Sequence, residues 1–287
     1  MDLTPQAQTL SFFGETAVDM LQSALNFWRD ILQQIFSILT VSPRDFMGGS
    51  LWTLVSGIFN TLQAVGIALL VVFFFYGIIK SSVSFQDIIQ RPTQIIGYFI
   101  RIALANFLII YGLDFLLWIL TFVSELIVLI QSNTPILGMT VPQELADALA
   151  NASFGQSIGS FCGALIGTLA VYLLAIIVIA LVYGRFFKIF LLTAIAPIPL
   201  ATLSGGATES IGTNYIKSYT GECLRGVLIL VACRIFSTFA TTMPTLDPTS
   251  SVSAMTWAYV AQVALNMLIL VIVVKASDRM IKEIFGI

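Results

Sequence analysis

The first fifty residues alternate apolar and polar positions with the period of an α-helix. Between residues 9 and 40, large apolar residues recur at three- and four-residue steps and so fall on one helix face. The opposite face carries Glu15, Asp19, Gln22, Asn26 and Asp30. Such a helix lies on a membrane surface or packs its apolar face on a partner. We predict an extracytoplasmic amphipathic helical segment over 1–50 that ends in the break at 42–50.

The rest of the chain is dominated by long apolar runs. A helix needs about 20 apolar residues to cross the hydrocarbon core of a bilayer. Runs that reach this length predict membrane-spanning helices at about 51–79, 101–125, 161–183, 224–243 and 257–274. The second run extends from 95 to 130, which is too long for one simple crossing, so Arg101 and Glu125 are its natural limits. The pattern predicts an all-α, polytopic helical membrane protein with a transmembrane domain over 51–287.

Two features mark the stretch from 153 to 206. Four glycines occur at every fourth residue, so they stack along one helix face: Gly155, Gly159, Gly163 and Gly167. A face without side chains lets another helix backbone come close, which is the small-residue packing signal of membrane helices. Further on, Pro197 and Pro199 interrupt an apolar segment at 189–204, and each proline removes a backbone N–H.

Broken backbone at membrane depth is tolerated only where it is buried in protein or lines a wet cavity. We therefore predict a re-entrant or broken helix at 189–204 whose freed carbonyls face the water-filled interior of a conduit. Gly205 and Gly206 would supply its flexible exit, and the polar residues 205–222 would form a cytoplasmic loop.

Composition supports a membrane protein and argues against several activities. Charged residues make up 10% of the chain and the mean hydropathy is +0.97, whereas soluble domains carry about 25% charge. The absence of histidine excludes histidine-ligated metals and histidine acid–base catalysis. No phosphate-binding glycine motif occurs, so a nucleotide-driven motor would be a separate protein. The three cysteines form no CxxC pair and are interpreted as free packing residues.

We expect no enzymatic activity and no cofactor or metal. An aspartyl intramembrane protease needs two close carboxylates, and Asp114 has no acidic partner in a second apolar run. The first ten residues lack a basic start followed by a short apolar core, so no cleaved signal is expected.

Positive charges predict the orientation, because Lys and Arg are retained on the cytoplasmic side. With the N-terminus outside, the C-terminus cytoplasmic and five full spans, only Arg29 and Arg44 fall outside. Ten cations then fall inside: Lys80, Arg91, Arg101, Arg185, Lys188, Lys217, Arg225, Lys275, Arg279 and Lys282. A sixth full crossing at 189–203 would place the C-terminal cations outside, so five spans are favoured over six.

Several polar residues within the apolar runs are conduit candidates. Asp114 and Arg234 lie deepest, and a lone charge there costs at least about 2.5 to 3.5 kcal/mol, so the two are expected to pair or to face water. Such a pair is either a structural bridge that fixes helix register or part of a polar lining. Two polar stripes, Asp114–Thr121–Glu125 and Gln262–Asn266, suit a conduit or an assembly interface, although polar residues also act as interhelical glue.

A further polar group lies in the predicted loop. Tyr215 and Tyr219, with Lys217 and Arg225, are either a stacking and phosphate-binding patch or an interfacial aromatic belt, and the belt is favoured because two cations are few for phosphate binding.

The stretch RFFKIFLLTAIAPIPLATLSGG, followed by IGTNYIKSYTGECLRGVLIL, resembles the TrbL-like polytopic channel subunits of conjugative type IV secretion systems. It looks most like the short versions on mobile elements of Gram-positive bacteria. The shared landmarks run from Ala196 to Ala201 and continue with Gly205, Gly206, Asn214, Tyr215, Lys217, Ser218 and Tyr219. The family lacks a catalytic signature, so the resemblance supplies no active residue.

The resemblance implies an inner part of the pathway for single-stranded DNA with its attached relaxase. It also implies an oligomeric membrane complex driven by separate ATPases. The alternative function is a small-solute or ion transporter. Inverted-repeat transporters usually carry matching broken helices in both halves, and here one break is evident.

Overall fold

The computed structural model describes residues 5–42, 44–80, 92–131, 139–240 and 250–287, and these are almost entirely helical, with no strand. The α-helices are α1 (Pro5–Thr40), α2 (Ser50–Lys80), α3 (Pro92–Ile110), α4 (Gly112–Gln131), α5 (Gln143–Ala150), α6 (Phe154–Ile195), α7 (Pro197–Ala201), α8 (Glu209–Ala240) and α9 (Val252–Phe285). Two 3₁₀ turns, Phe46–Gly49 and Thr202–Ser204, precede α2 and follow α7.

The all-α membrane architecture is confirmed. Among the described residues, five helices are long and apolar enough to span a bilayer: Ser50–Lys80, Gly112–Gln131, Gly155–Ile195, Glu209–Ala240 and Val252–Phe285. A shorter apolar helix covers Ile96–Ile110. Arg91, counted above for the cytoplasmic side, lies outside the described residues, as do positions 241–243 of the fourth predicted span.

The bounds of the second predicted span were wrong. A single helix over 101–125 was expected, but the chain bends at Tyr111 and forms α3 and α4. The bend is a kink, because Tyr111 N–H still donates to Phe107 O at 2.9 Å and Phe115 N–H to Tyr111 O at 3.0 Å. Gly112 lies beside the bend and packs closely there, because a Cβ on it would lie 3.2 Å from Leu200 and 3.3 Å from Phe59.

The chain divides into two compact units. The first unit consists of Met1–Ser37, Ile130–Val182 and Leu228–Ala276. Here α1 buries its apolar face against helices of its own chain: Phe27 meets Tyr172 with ring centroids 4.7 Å apart, and Trp28 meets Phe236 at 5.8 Å. The amphipathic pattern of α1 therefore reflects packing within the chain, since aromatic pairs of this kind are core contacts.

The second unit consists of Ile38–Leu129, Tyr183–Val227 and Ser277–Ile287. Its centre is α2, whose buried residues are Val55, Phe59, Gly66, Leu70 and Gly77. Their spacings alternate between four and seven, which gives an eleven-residue repeat. Eleven residues in three turns almost match the α-helical period, so these residues form one straight stripe. Antiparallel to α2, α3 is tied to it by Gln63, whose amide donates to the carbonyls of Ile109 and Ile110 at 3.1 and 3.2 Å.

Candidate functional site: a proline break and a charged cluster

The helix that approaches the proline break is longer than expected. α6 runs unbroken from Phe154 to Ile195, through Arg185 and Lys188, where the sequence suggested a span end. It stops because Pro197 has no N–H to continue the ladder. The last turn tightens instead: Ala196 N–H donates to Thr193 O at 3.3 Å, an i to i−3 bond.

Side-chain hydroxyls of the chain itself satisfy carbonyls around the break. Because Ala196 bonds Thr193, the carbonyl of Leu192 loses its usual partner, and the hydroxyl of Tyr215 on α8 donates to it at 2.9 Å. Ser204 donates to Leu70 O on α2 at 2.9 Å and to Ala201 O at 2.8 Å. The expectation that freed carbonyls face a wet conduit is therefore wrong for Leu192, which is satisfied within the protein.

The segment after the break lies along the buried stripe of α2. Pro197 packs on Gly66, where a Cβ would lie 2.8 Å from the carbonyl oxygen of Pro197. Gly205 packs against Phe73 and Gly77, and a Cβ on Gly77 would lie 2.9 Å from the Cα of Gly205. Contacts thus advance along α2 from residue 66 to 77 as the chain advances from 197 to 205. Of the two predicted forms, re-entrant or broken, the segment is a broken helix that does not turn back within 197–205.

We call this contact between α2 and residues 197–205 the α2–α7 seam. Pro197 is buried in it, Pro199 is half-buried, and Gly205 is buried while Gly206 is exposed. A Cβ on Gly206 would meet the Arg101 guanidinium at 2.7 Å, and Arg101 pairs with Glu209 at 3.4 Å. The close approach of backbones where Gly66 meets Pro197 and Gly77 meets Gly205 requires glycine on at least one side.

The predicted cytoplasmic loop 205–222 is mostly helix. α8 begins at Glu209, so only the four residues 205–208 connect it to the 3₁₀ turn Thr202–Ser204 that follows α7. The polar composition of 205–222 suggested a loop, but one face of this helix is buried. Tyr215 and Tyr219, four residues apart, are both buried, while Asn214 and Lys217 are exposed.

The two tyrosines hold α8 against its neighbours. Tyr219 donates its hydroxyl proton to Leu116 O on α4 at 3.2 Å, and its oxygen lies 3.5 Å from the Thr193 hydroxyl of α6. Buried rings with bonded hydroxyls form neither a stacking patch nor an interfacial belt, so both interpretations of the tyrosines were wrong.

A charged cluster joins three helices of the second unit. We define it as Arg185 and Lys188 of α6, Glu222 and Arg225 of α8, and Asp278 and Lys282 of α9. The ammonium of Lys188 bonds Glu222 Oε1 and lies 3.1 Å from Asp278 Oδ1. Arg225 Nη1 lies 3.4 Å from Asp278 Oδ1 and 3.6 Å from Glu222 Oε2. The ammonium of Lys282 contacts the other oxygen of this carboxylate, Asp278 Oδ2, at 2.8 Å.

Arg185 is the most deeply buried member, at 3% exposure. Its Nε donates to Glu222 O at 3.0 Å and its Nη2 to Cys223 O at 2.8 Å. Its Nη1 has no hydrogen-bond partner among the described residues. Gly226 makes room for this guanidinium, because a Cβ there would lie 2.5 Å from its Cζ and 2.7 Å from Nη1.

Asp114 and Arg234 do not form the expected pair. Asp114 lies in the first turn of α4, where its side chain is 75% exposed and 4.0 Å from Arg44 Nη2. Arg234 donates to Gln131 O at 2.8 Å and stacks on Phe36 with its Cζ 5.1 Å from the ring centroid. The expectation that Asp114 lies deep in the membrane failed because it treated 101–125 as one continuous span.

The other conduit candidates differ in exposure. Thr121 and Glu125 are exposed beside Asp114 on α4, so this stripe faces outward in the described structure. On α9, Gln262 is half-buried and Asn266 is buried. The first stripe is therefore available to a partner or to solvent, whereas the second is part of the packing of its unit.

The glycine row of α6 packs on α9. A Cβ on Gly159 would lie 3.2 Å from Ser253, one on Gly163 3.4 Å from Trp257, and one on Gly167 2.7 Å from both methyl groups of Val260. Within the part of the chain that the structure describes, no other element comes within 4 Å of a Cβ built on Gly155. Side chains of α9 therefore pack against the glycine row. The sequence suggested instead that the backbone of a second helix would approach it closely.

Sequence reasoning missed the residues that organise the second unit: Gly66, Gly77, Glu222, Gly226 and Asp278. The eleven-residue spacing of Gly66 and Gly77 was a usable signal, since it keeps both on one face of a helix. Opposite charges at helical spacing, Glu222 with Arg225 and Asp278 with Lys282, were a second signal.

Comparison with protein-family models, with curated proteins and with solved structures finds no match to this chain.

Proposed function

We propose that the chain is a channel or scaffold subunit of a conjugative type IV secretion machine that helps to translocate single-stranded DNA with its relaxase across the cell membrane. The resemblance lies in residues 183–225, and one observation supports it: this segment packs along α2, the centre of the second unit. Pro197 and Gly205 form the α2–α7 seam, and Tyr215 and Tyr219 fix α8. The shared landmarks are therefore residues that determine a fold, as expected for a family without a catalytic signature.

The proposal includes an orientation and a set of partners. The N-terminus lies outside and the C-terminus in the cytoplasm. This arrangement places ten Lys and Arg residues on the cytoplasmic side and two outside, in agreement with the positive-inside rule. Several copies of the chain assemble with other membrane subunits, and separate ATPases drive transport. In this orientation the membrane-embedded part consists of α2, of α3 and α4 together as one kinked crossing, and of α6, α8 and α9.

A mating assay tests this function. The gene is deleted in frame in a donor cell that carries the conjugative element, and transfer frequency, relaxase nicking of the DNA and growth are measured. We expect transfer to be lost, nicking to persist and the wild-type gene supplied in trans to restore transfer, because the chain acts after the DNA is processed. A donor whose element carries an in-frame deletion in a gene unrelated to transfer is the control and should transfer normally. Normal transfer from the deleted donor would refute the proposal.

A further inference from the structure

The charged cluster holds more positive than negative groups. Among the residues that the structure describes, its four cations, Arg185, Lys188, Arg225 and Lys282, face two carboxylates, those of Glu222 and Asp278. Two positive charges therefore remain uncompensated within the cluster. Such an excess between packed apolar helices is unfavourable unless an anion or water reaches it.

The excess charge reaches the surface at two lysines. The side chains of Glu222 and Arg225 are buried, whereas those of Lys188 and Lys282 are 41% and 52% exposed. Both ammonium groups contact the same carboxylate, Lys188 at Oδ1 and Lys282 at Oδ2 of Asp278. They therefore flank one accessible edge of the cluster, one from α6 and one from α9.

The surroundings of this edge are apolar on α6. Leu191, three residues after Lys188 and on the same side of the helix, is 67% exposed, and the adjacent Phe187 is 50% exposed. One turn before Lys188, Gly184 leaves open space, since no other element of the described ranges comes within 4 Å of a Cβ built there. A ligand at the two lysines would thus touch apolar side chains and a side-chain-free surface.

The helices that carry the cluster extend beyond the hydrocarbon core. α6 has 42 residues, which makes it roughly 63 Å long, about twice the thickness of that core. Along α9, exposed apolar residues such as Ile272 and Val273 give way to Lys275, Arg279 and Lys282. The sequence thus changes from lipid-facing to charged where the cluster begins, as expected at the headgroup level.

From these observations we infer that the charged cluster binds the phosphate of an anionic phospholipid headgroup, such as phosphatidylglycerol or cardiolipin. Lys188 and Lys282 contact the phosphate, the buried Arg185 and Arg225 supply the positive potential behind them, and Phe187, which precedes Lys188 on α6, contacts the acyl chains. Basic pockets between membrane helices on the cytoplasmic side recognise such lipids in this way. The inference does not depend on the proposed secretion function.

The test uses the purified full chain in a neutral detergent. Its thermal unfolding midpoint and its bound lipid, counted by native mass spectrometry, are measured with phosphatidylglycerol and with phosphatidylcholine. We expect phosphatidylglycerol alone to raise the midpoint, because a ligand that binds only the folded state stabilises it. The variant Lys188→Gln/Lys282→Gln should bind phosphatidylglycerol about thirtyfold more weakly, since each lysine near an anionic lipid surface contributes about fivefold.

The matched control removes two cations outside the cluster. The variant Arg29→Gln/Lys217→Gln has the same net charge as the cluster variant, and it should bind phosphatidylglycerol like the wild type. Equal binding by the cluster variant and this control would overturn the inference. Inorganic phosphate or a single-stranded oligonucleotide that stabilises the protein as much as the lipid, at equal phosphate concentration, would also overturn it.

A single substitution keeps the test valid if the double variant does not fold. Lys282 is half exposed near the end of α9 and makes one ion pair with Asp278, so Lys282→Gln should lower the unfolding midpoint without lipid only slightly. We expect about fivefold weaker binding of phosphatidylglycerol and wild-type binding for Lys282→Arg, which keeps the charge. Unchanged affinity in a folded Lys282→Gln protein would contradict the assignment.

Discussion

At the residue scale, the burial of Arg185 depends on the absence of a side chain at Gly226. A Cβ there would lie 2.5 Å from the guanidinium, which two carbonyls hold in place. Gly226→Ala must therefore displace a buried, hydrogen-bonded cation. We expect a loss of about 1–3 kcal/mol in the free energy of unfolding, as for other overpacked sites, measured as a lower unfolding midpoint in detergent.

Gly184→Ala is the matched control, since it makes the same change inside a helix of the same unit. Open space surrounds this position, so the substitution should be neutral or stabilise by up to about 1 kcal/mol through helix propensity. Equal effects of the two substitutions would show that the guanidinium is free to move.

The hydroxyl of Tyr215 gives a second prediction at this scale. It satisfies Leu192 O, which lost its helical partner at the break. Tyr215→Phe keeps the buried ring but leaves that carbonyl unsatisfied, so we expect a loss of about 1–3 kcal/mol in stability. Tyr111→Phe, at a tyrosine that is 52% exposed, should change the unfolding midpoint little. An unchanged midpoint for Tyr215→Phe would mean that water replaces the hydroxyl.

Individual contacts were the least predictable level. The sequence showed that Asp114 and Arg234 are costly in an apolar run, but their partners, Arg44 and Gln131 O, depend on a kink at Tyr111 that apolar periodicity does not reveal. Glu222 and Asp278 were likewise visible only as charges near span ends. Which cations share a carboxylate is decided by how α6, α8 and α9 pack.

At the element scale, the α2–α7 seam requires glycine at position 66. A Cβ on Gly66 would lie 2.8 Å from the carbonyl oxygen and 2.9 Å from the Cβ of Pro197, and these atoms belong to rigid backbone and ring. We expect Gly66→Ala to lower the free energy of unfolding by about 1–3 kcal/mol. Gly57→Ala on the same helix is the control and should be neutral or stabilising, because no other element among the described residues comes within 4 Å of a Cβ there. The prediction fails if both variants unfold at the same temperature.

The prolines give the second prediction for this element. Replacing both, Pro197→Leu/Pro199→Leu, restores two backbone N–H groups and favours a straight helix by about 3 kcal/mol per position on propensity alone. A straight α6 would leave the path along Gly66, Leu70 and Gly77, and Ser204 would lose its bond to Leu70 O. We therefore expect lower stability in detergent and, if the proposed function holds, loss of conjugative transfer with the protein still in the membrane. Higher stability with normal transfer would make the prolines a dispensable kink.

Element types were predicted well and element limits poorly. Apolar runs of sufficient length gave the long helices, and the prolines marked the break within one residue of its position at Ala196. The start of α8 at Glu209 was missed, because a helix with buried Tyr215 and Tyr219 beside exposed Asn214 and Lys217 has the composition of a loop. Burial of a polar-looking face is a tertiary property that average hydropathy does not report.

At the scale of the whole molecule, composition alone was sufficient for the fold class. With 58% hydrophobic and 10% charged residues, and no water in the bilayer to satisfy the backbone, a helical bundle is the expected solution. The division into two units was not foreseen. It depends on which surfaces meet, such as the glycine row of α6 on α9 in one unit and the α2–α7 seam in the other.

The last prediction concerns the orientation of the whole molecule. Residues 139–154 carry Glu144 and Asp147 and no Lys or Arg, whereas 185–225 carry Arg185, Lys188, Lys217 and Arg225. Because cations are retained in the cytoplasm, α5 should face outside and the start of α8 inside. Glu144→Cys and Lys217→Cys place a thiol at two exposed positions, in a background with Cys162→Ser because Cys162 is the exposed native cysteine. A membrane-impermeant maleimide should label position 144 in intact cells and position 217 only after permeabilisation. Labelling of 217 in intact cells, with 144 protected, would reverse the orientation and would place the charged cluster on the extracytoplasmic side.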